Sequence, residues 1–126
     1  MAGDARDAIG SWSGTEVTMR MQDVQREIDR MTRLIVRKFH PERIILFGSH
    51  ARGDAGPDSD IDLLVVMDVP GSKVDAAVSI GVALHRFRIP KDIIVVTPEE
   101  FAWRKDVIGT IEYPASREGK VLHASP

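Results

Sequence analysis

Two short apolar runs with a polar insert between them constrain the fold of this chain more than any other feature. The first run, 44–47, ends at Gly48-Ser49, and ten residues later Asp60-Ile61-Asp62 opens the second run. Short apolar runs bounded by turn-forming residues are typical of buried strands. Because strand side chains alternate between faces, both aspartates point to one side while Ile61 points into the core.

The rest of the chain supplies helices and two further strands. Apolar residues spaced by three and four between Val17 and Phe39 predict an amphipathic helix that ends before Pro41. Thr97-Pro98-Glu99-Glu100 combines an N-cap, a proline in the first turn and a capping-box glutamate, which predicts the start of another helix. The patterns predict strands at 43–47, 60–67, 92–96 and 121–123, a helical turn at 49–53, and helices at 74–87, 98–105 and 106–118. We therefore expect an α/β (α+β) fold.

The length indicates one domain. A chain of 126 residues with 43% hydrophobic and 29% charged residues can bury a core of its own. Residues 1–16 show little apolar periodicity, so we expect a flexible amino-terminal tail, and we assign the domain to 17–124.

Composition excludes several classes of protein. There are no cysteines, which excludes disulfides, thiol catalysis and thiolate metal sites. A net charge of −2 does not favour binding to DNA. No apolar run reaches the ~20 residues of a membrane span, and no signal peptide is apparent, so we expect a cytoplasmic protein that does not associate with membranes.

The acidic residues predict a metal site. Asp60 and Asp62 share one strand face, and Asp92 lies at the start of a third strand that can run beside the second. Three carboxylates close together repel one another unless cations neutralise them. Mg²⁺ prefers such hard oxygen ligands and usually shares them with substrate phosphates.

The turn at Gly48 predicts a phosphate site beside these acids. A glycine lets the backbone approach a phosphate closely, and the Ser49 hydroxyl and following amides can donate to phosphate oxygens at a helix start. Arg52 can add a charge-assisted contact or brace the acidic loop.

Two competing motifs fail on their spacing. Gly48 to Gly53 has the spacing of a P-loop, but Asp54-Ala55 stands where lysine and serine or threonine are required. The alternating aspartates from Asp58 resemble an EF-hand loop, yet Leu63 replaces the required glycine and Val69 replaces the bidentate glutamate.

Together these residues resemble a known family. The combined motif GSxARGxxxxxSDxDL, from Gly48 to Leu63, followed by Asp92, resembles the minimal nucleotidyltransferases of the DNA polymerase beta superfamily. The resemblance runs from about Met21 to His123, and every motif position is retained. It implies a mixed sheet of about four strands flanked by helices.

The resemblance also implies an activity and its residues. It implies transfer of a nucleotide from a triphosphate, with ATP as the donor, to a hydroxyl group, assisted by two Mg²⁺ ions. Gly48 and Ser49 would hold the triphosphate, and Arg52 and Ser59 of the same motif would belong to the nucleotide-binding site. Asp60 and Asp62 would bind both ions, and Asp92 would assist the ion that activates the acceptor.

The resemblance finally suggests a partner. Minimal nucleotidyltransferases are commonly paired with a small helical toxin of the HEPN type, and the transferase can act as an antitoxin by adding AMP to it. The missing acceptor surface would then come from another protein or another copy of the chain. Two alternatives remain: an antitoxin that acts by binding alone, and a transferase for a small molecule such as an aminoglycoside.

Overall fold

Five helices and four strands follow one another in the part of the chain that the structure describes. The computed structural model describes residues 14–126, with side chains from residue 22 onward. The elements are α1 (Gly14–Phe39), β1 (Arg43–Phe47), α2 (Ser49–Arg52), β2 (Ile61–Val66), α3 (Lys73–Ala83), β3 (Lys91–Val96), α4 (Pro98–Arg104), α5 (Glu112–Glu118) and β4 (Lys120–Ala124). Residues 1–13 of the expected tail lie outside the described residues.

The four strands form one mixed sheet in the order β3-β2-β1-β4. Strand β1 pairs antiparallel with both β2 and β4, whereas β2 and β3 run parallel. The parallel pair is joined through α3, as a parallel connection requires. The predicted fold class, strand number and mixed sheet are therefore confirmed.

Each face of the sheet carries its own apolar layer. On one face, alternate residues of β1 and β2 pack with α1 and α3, and this layer includes Ile35, Leu63 and Ile80. On the other face, Leu64 and Phe47 pack with Phe101 of α4 and Ala115 of α5. The helices cover both faces, which leaves the polar ends of the strands accessible. No helix within residues 14–126 has the length and apolar character needed to cross a membrane.

Helix α1 ends where the sequence predicts. His40 follows its last residue with a left-handed φ of 51°, and its N–H donates to Val36 O at 3.1 Å. A left-handed residue after the last turn is a common helix stop, and the proline that follows prevents the helix from continuing.

Helix α3 is shorter than the predicted 74–87. Beyond Ala83 the chain forms tight turns, in which Leu84 N–H donates to Gly81 O and Phe87 N–H donates to Leu84 O. The His85 ring Nδ1 lies 2.8 Å from Val82 O, the carbonyl that another helical turn would use. The helical prediction over 84–87 is therefore wrong, although Phe87 is buried as its spacing indicated.

Helix α5 also begins later than the predicted 106. Residues 105–111 form a turn around Thr110, whose hydroxyl donates to the carbonyls of Arg104 and Val107 and accepts the N–H of Tyr113. Gly109 adopts a left-handed φ of 100°, which is incompatible with a continuous helix. Pro114 then lies in the first turn of the shorter helix, where a proline is tolerated.

Gly119 joins α5 to β4 and is required for close packing. Its φ of −77° is ordinary, so backbone freedom does not explain the glycine. A Cβ there would instead overlap Ala115 O and the Ile45 side chain and lie 2.9 Å from Leu46 O.

We expect Gly119→Ala to lower the free energy of unfolding by about 1–3 kcal/mol, because backbone atoms cannot move aside without disturbing the β1–β4 pairing. Urea denaturation checks this, with Gly71→Ala as a control, since a Cβ at Gly71 meets nothing within 4 Å. Equal stability of the two variants would contradict the packing explanation.

An ion pair joins the starts of α3 and α4. Glu100 completes the predicted capping box with Thr97, and its other carboxylate oxygen accepts a hydrogen bond from Lys73 Nζ at 2.6 Å. The hydrogen bonds from Lys73 and then from Thr97 lower the pKa of Glu100 below its usual value of 4.5.

The lowered pKa has a consequence for stability. The ionised Glu100 side chain raises the free energy of unfolding. This contribution is fully present above pH 4.5 and is lost as the pH falls through the lower pKa of Glu100 in the folded state. We expect Glu100→Gln, which keeps the capping geometry, to reduce stability at pH 6 by less than about 1 kcal/mol because the pair is partly exposed. The difference from wild type should vanish at low pH. Melting curves from pH 3 to 7 test this, and a pH-independent difference would contradict it.

Candidate active site

Two acidic residues from different strands lie side by side. In the parallel register, Asp62 of β2 is the direct neighbour of Asp92 of β3. Direct neighbours on adjacent strands point to the same face, and the strands are about 4.8 Å apart. The sequence expectation that β3 brings Asp92 against the aspartate pair is met for Asp62.

Asp60 lies at the entrance to β2. It precedes the first residue of the strand and is exposed, so β2 begins one residue later than predicted. The N–H of Ile61 donates to Pro90 O at 2.9 Å, and this hydrogen bond connects the start of β2 to the start of β3. Asp60 therefore lies at the solvent-facing end of the two parallel strands.

The pKa of Asp62 is raised by its surroundings. Burial raises it above the usual 3.8, and the charges of Asp92 and then Asp60 raise it further. His50 and Arg52 act in the opposite direction without cancelling the rise. Because all three carboxylates interact, the ionised site carries negative charge that His50 and Arg52 only partly offset in the absence of a cation.

Gly48 brings a backbone turn against Asp62. It adopts φ 76° and ψ −157°, a combination that essentially only glycine adopts. A Cβ at this position would overlap the Oδ2 atom of Asp62. Glycine is therefore required here for both conformation and space, and the turn lies directly beside the acidic pair.

Helix α2 starts at this turn. The N–H groups of Ala51 and Arg52 donate to Gly48 O at 3.0 Å each. In the part of the chain that the structure describes, no hydrogen bond uses the N–H groups of Ser49 and His50. The first N–H groups of a helix lack internal partners, so these two are available to an anion.

Arg52 and Ser59 brace the loop in this structure. Arg52 pairs with Asp54 at 3.3 Å and approaches Glu118 of α5 at 3.9 Å. The Ser59 hydroxyl accepts the N–H of Gly56 at 2.9 Å. Both side chains thus hold the segment between Gly48 and Asp60, which is one of the two roles expected for Arg52.

Two bracing residues were not found from the sequence. His50 Nε2 lies 3.2 Å from Ser59 O and links α2 to the end of the loop. Lys91 Nζ donates to Phe87 O at 2.6 Å and to Ile89 O at 3.0 Å, which fixes the turn that leads into β3. Both contacts are to backbone carbonyls, and no spacing in the sequence identifies them.

The acids match the ligand chemistry of Mg²⁺, but they do not converge on one point. Carboxylate oxygens are the donors that Mg²⁺ prefers, and the mutual repulsion at Asp62 is what a cation would relieve. Among the side chains of residues 22–126, however, no three histidine, aspartate or glutamate residues are arranged to hold a metal ion. The residue types fit the ion, and their side chains would have to turn inward to bind it.

The turn at Gly48, the three acids and a comparison with protein families together identify the family of this chain. Residues 28–116 match the model of the nucleotidyltransferase domain, which includes the turn, all three acids and the strands that carry them. The chain belongs to the nucleotidyltransferase domain family. The predicted family and the predicted enzyme class, a nucleotidyltransferase, are thereby confirmed.

One curated relative of this nucleotidyltransferase is named a putative protein adenylyltransferase, from Methanocaldococcus jannaschii. It is 36% identical over 83 residues, a match that covers 65% of this chain and 78% of the relative.

One solved structure confirms the fold. A crystal structure named as a putative nucleotidyltransferase from Sulfolobus solfataricus has a TM-score of 0.58 and 23% identity, with 88% of this chain and 89% of that chain covered. A toxin–antitoxin structure with AMP-PNP is more distant, with a TM-score of 0.49, 22% identity and coverage of 77% and 73%. That second likeness is too weak to bear on function.

Proposed function

We propose that this nucleotidyltransferase transfers AMP from ATP to a hydroxyl group of a partner protein. The observation that carries the proposal is the direct pairing of Asp62 with Asp92, next to a turn at Gly48 that only glycine allows. That arrangement supports a site for a polyphosphate beside a cluster of carboxylates. The relative named a putative protein adenylyltransferase supports the adenylyl group and the protein acceptor.

In the proposed reaction the acceptor oxygen attacks the α-phosphorus. A bond forms between that oxygen and phosphorus, the bond to the bridging oxygen of the β-phosphate breaks, pyrophosphate leaves, and the hydroxyl proton passes to solvent. The turn at Gly48, with the Ser49 hydroxyl and the free N–H groups of Ser49 and His50, would bind the phosphates. Arg52 and Ser59 would keep this loop in place.

The acids would hold divalent cations, for which we propose two Mg²⁺ ions. Asp60 and Asp62 would contribute to both positions and Asp92 to the one nearer the acceptor. Bound Mg²⁺ would lower the pKa of the attacking hydroxyl and neutralise charge on the leaving pyrophosphate. Without a cation, the repulsion at Asp62 opposes binding of a negatively charged nucleotide.

A partner protein completes the proposal. From the sequence resemblance we propose a HEPN-type helical toxin as the acceptor and an antitoxin role for this chain. A hydroxyl-bearing side chain of such a partner would have to reach the end of the parallel strands where Asp60 is exposed.

Labelled ATP tests the reaction. The chain is incubated with Mg²⁺, a HEPN-type partner purified from the same source, and ATP labelled either at the α- or at the γ-phosphate. We expect label on the partner from α-labelled ATP only, because the γ-phosphate leaves in pyrophosphate. Label from γ-labelled ATP would indicate phosphorylation, and no label from either would contradict the proposal.

The same assay separates the two alternatives. If the double variant Asp60→Asn/Asp62→Asn neutralises the partner as well as wild type does, then binding alone accounts for neutralisation. If α-label appears on an aminoglycoside and not on protein, the chain is a small-molecule transferase. Asp68→Asn, which changes an exposed carboxylate beyond the other end of β2, serves as the matched control variant.

A further inference from the structure

Helix α3 carries an exposed apolar face that the transfer reaction does not explain. Val74, Val78 and Val82, here called the α3 valine face, are 70%, 59% and 64% exposed. Their spacing of four places them in one stripe, on the side of α3 opposite the buried Ile80. Three large apolar residues in one stripe are more than the scattered exposure that a soluble surface normally shows.

The composition of α3 also indicates that it is covered on both sides. Only Lys73, Asp75 and Ser79 are polar among its eleven residues. A surface helix usually presents a polar face to water, and a helix that is apolar nearly all round is usually buried. Because the core side of α3 already packs on the sheet and on α1, the valine face is the side without a cover in the described chain.

Charges at the two ends of α3 indicate what covers it. Asp75 lies in the first turn, and His85 and Arg86 follow the last turn. No described side chain forms an ion pair with any of the three; Arg86 instead stacks on the neighbouring Phe87 ring at 5.1 Å. Lys73 in the first turn is neutralised by its ion pair with Glu100, so the charge left on this side is negative at the start of α3 and positive just beyond its end, with the apolar stripe between. Such a surface is complementary to an antiparallel copy of itself.

We propose that the α3 valine face is the centre of a two-fold symmetric dimer of this chain. With the axis at Val78, the two copies of Val78 contact each other and Val74 of one copy contacts Val82 of the second copy. Asp75 of one copy then lies at the end of the interface that carries His85 and Arg86 of the second copy. Two-fold interfaces are self-complementary in this way. The proposal does not depend on the transfer reaction.

The make-up of the surface fits a two-fold interface. A stable interface buries about 800 Å² per partner, with an apolar centre and a polar rim. The valine face supplies the centre, and the exposed Asp75, Ser79, His85 and Arg86 supply the rim. The second copy would leave the end of the sheet with Asp60 and Asp92 accessible, because α3 lies on the opposite face from Asp62.

Sedimentation equilibrium of the full chain tests the dimer. We expect wild type to be dimeric in the micromolar range. Val78→Asp places two negative charges against each other at the two-fold axis, so we expect it to weaken dimerisation at least about tenfold. Val121→Asp is the matched control, since Val121 is 57% exposed on β4, and it should dimerise like wild type. Far-ultraviolet circular dichroism checks that both variants are folded.

A charge exchange tests the antiparallel arrangement. Asp75→Arg and Arg86→Asp should each weaken the dimer, and the double variant should restore it, because the pair is re-formed with its charges reversed. If wild type is monomeric throughout the micromolar range, the proposal is overturned. The α3 valine face would then be covered by residues 1–13 or by a different protein. A dimer that resists Val78→Asp, or a double variant without restoration, would also overturn it.

Discussion

Asp62→Asn should make the protein more stable while removing its activity. The carboxylate is partly buried and repelled by Asp92 and Asp60, so its pKa is raised in the folded state. The stability attributable to this group is fully present below the unfolded pKa of about 3.8 and is lost as the pH rises through the higher folded-state pKa. The uncharged amide in Asp62→Asn does not ionise, so the variant does not lose this stability as the pH rises. At neutral pH without divalent cations, we therefore expect a higher melting temperature for the variant than for wild type.

The same variant should lose activity although it gains stability. Without the Asp62 carboxylate the site loses a proposed metal ligand, and we expect nucleotidyl transfer to fall by about 10³-fold. Added Mg²⁺ should raise the melting temperature of wild type and leave that of the variant nearly unchanged. Glu99→Gln removes an exposed carboxylate away from the acidic site and is the control. A variant less stable than wild type at neutral pH, with an unchanged response to Mg²⁺, would contradict this interpretation.

Gly48→Ala should damage both the turn and the acid beside it. An alanine cannot adopt φ 76° with ψ −157° without strain of about 1–3 kcal/mol, and its Cβ would overlap the Asp62 carboxylate. The turn must shift, and the acid with it. We expect a loss of stability of about 2 kcal/mol or more and a loss of nucleotide binding, measured by denaturation and by calorimetric titration with an ATP analogue.

Two other glycines separate the causes of the Gly48 effect. Gly53 also has a positive φ, of 87°, but a Cβ there meets nothing within 4 Å, so Gly53→Ala should cost only the backbone strain. A Cβ at Gly56 likewise meets nothing, and its φ is not positive, so Gly56→Ala should be close to neutral. If Gly48→Ala and Gly53→Ala bind nucleotide equally well, contact with Asp62 is not the reason for the glycine.

Most of the fold could be predicted because its signals are local. The periodicity of α1, the apolar runs of β1 to β3 and the capping box at Thr97 are each complete within a few residues, and all are found in the structure. The ends of α3 and α5 were predicted wrongly because they depend on other contacts. The His85 ring and the Thr110 hydroxyl take up backbone carbonyls that a helix would use, and apolar spacing does not reveal this.

The meeting of Asp62 and Asp92 was predictable from the sequence, whereas the contacts around them were not. Order along the chain indicated that Asp62 and Asp92 meet, and the strand register pairs them. Spacing could not reveal that Gly48 contacts Asp62, that Arg52 reaches Glu118, or that His50 holds Ser59, since each contact joins segments brought together only by the folded sheet. The roles of these residues in binding nucleotide and metal are proposals.

Calorimetric titration of the full chain with a non-hydrolysable ATP analogue tests the central claim most directly. The claim is that the three acids and the Gly48 turn bind a nucleotide together with divalent cations. We predict saturable binding in Mg²⁺, little binding in EDTA, and little binding by Asp60→Asn/Asp62→Asn under either condition. Equal affinity of wild type and the double variant, with no dependence on Mg²⁺, would contradict the claim.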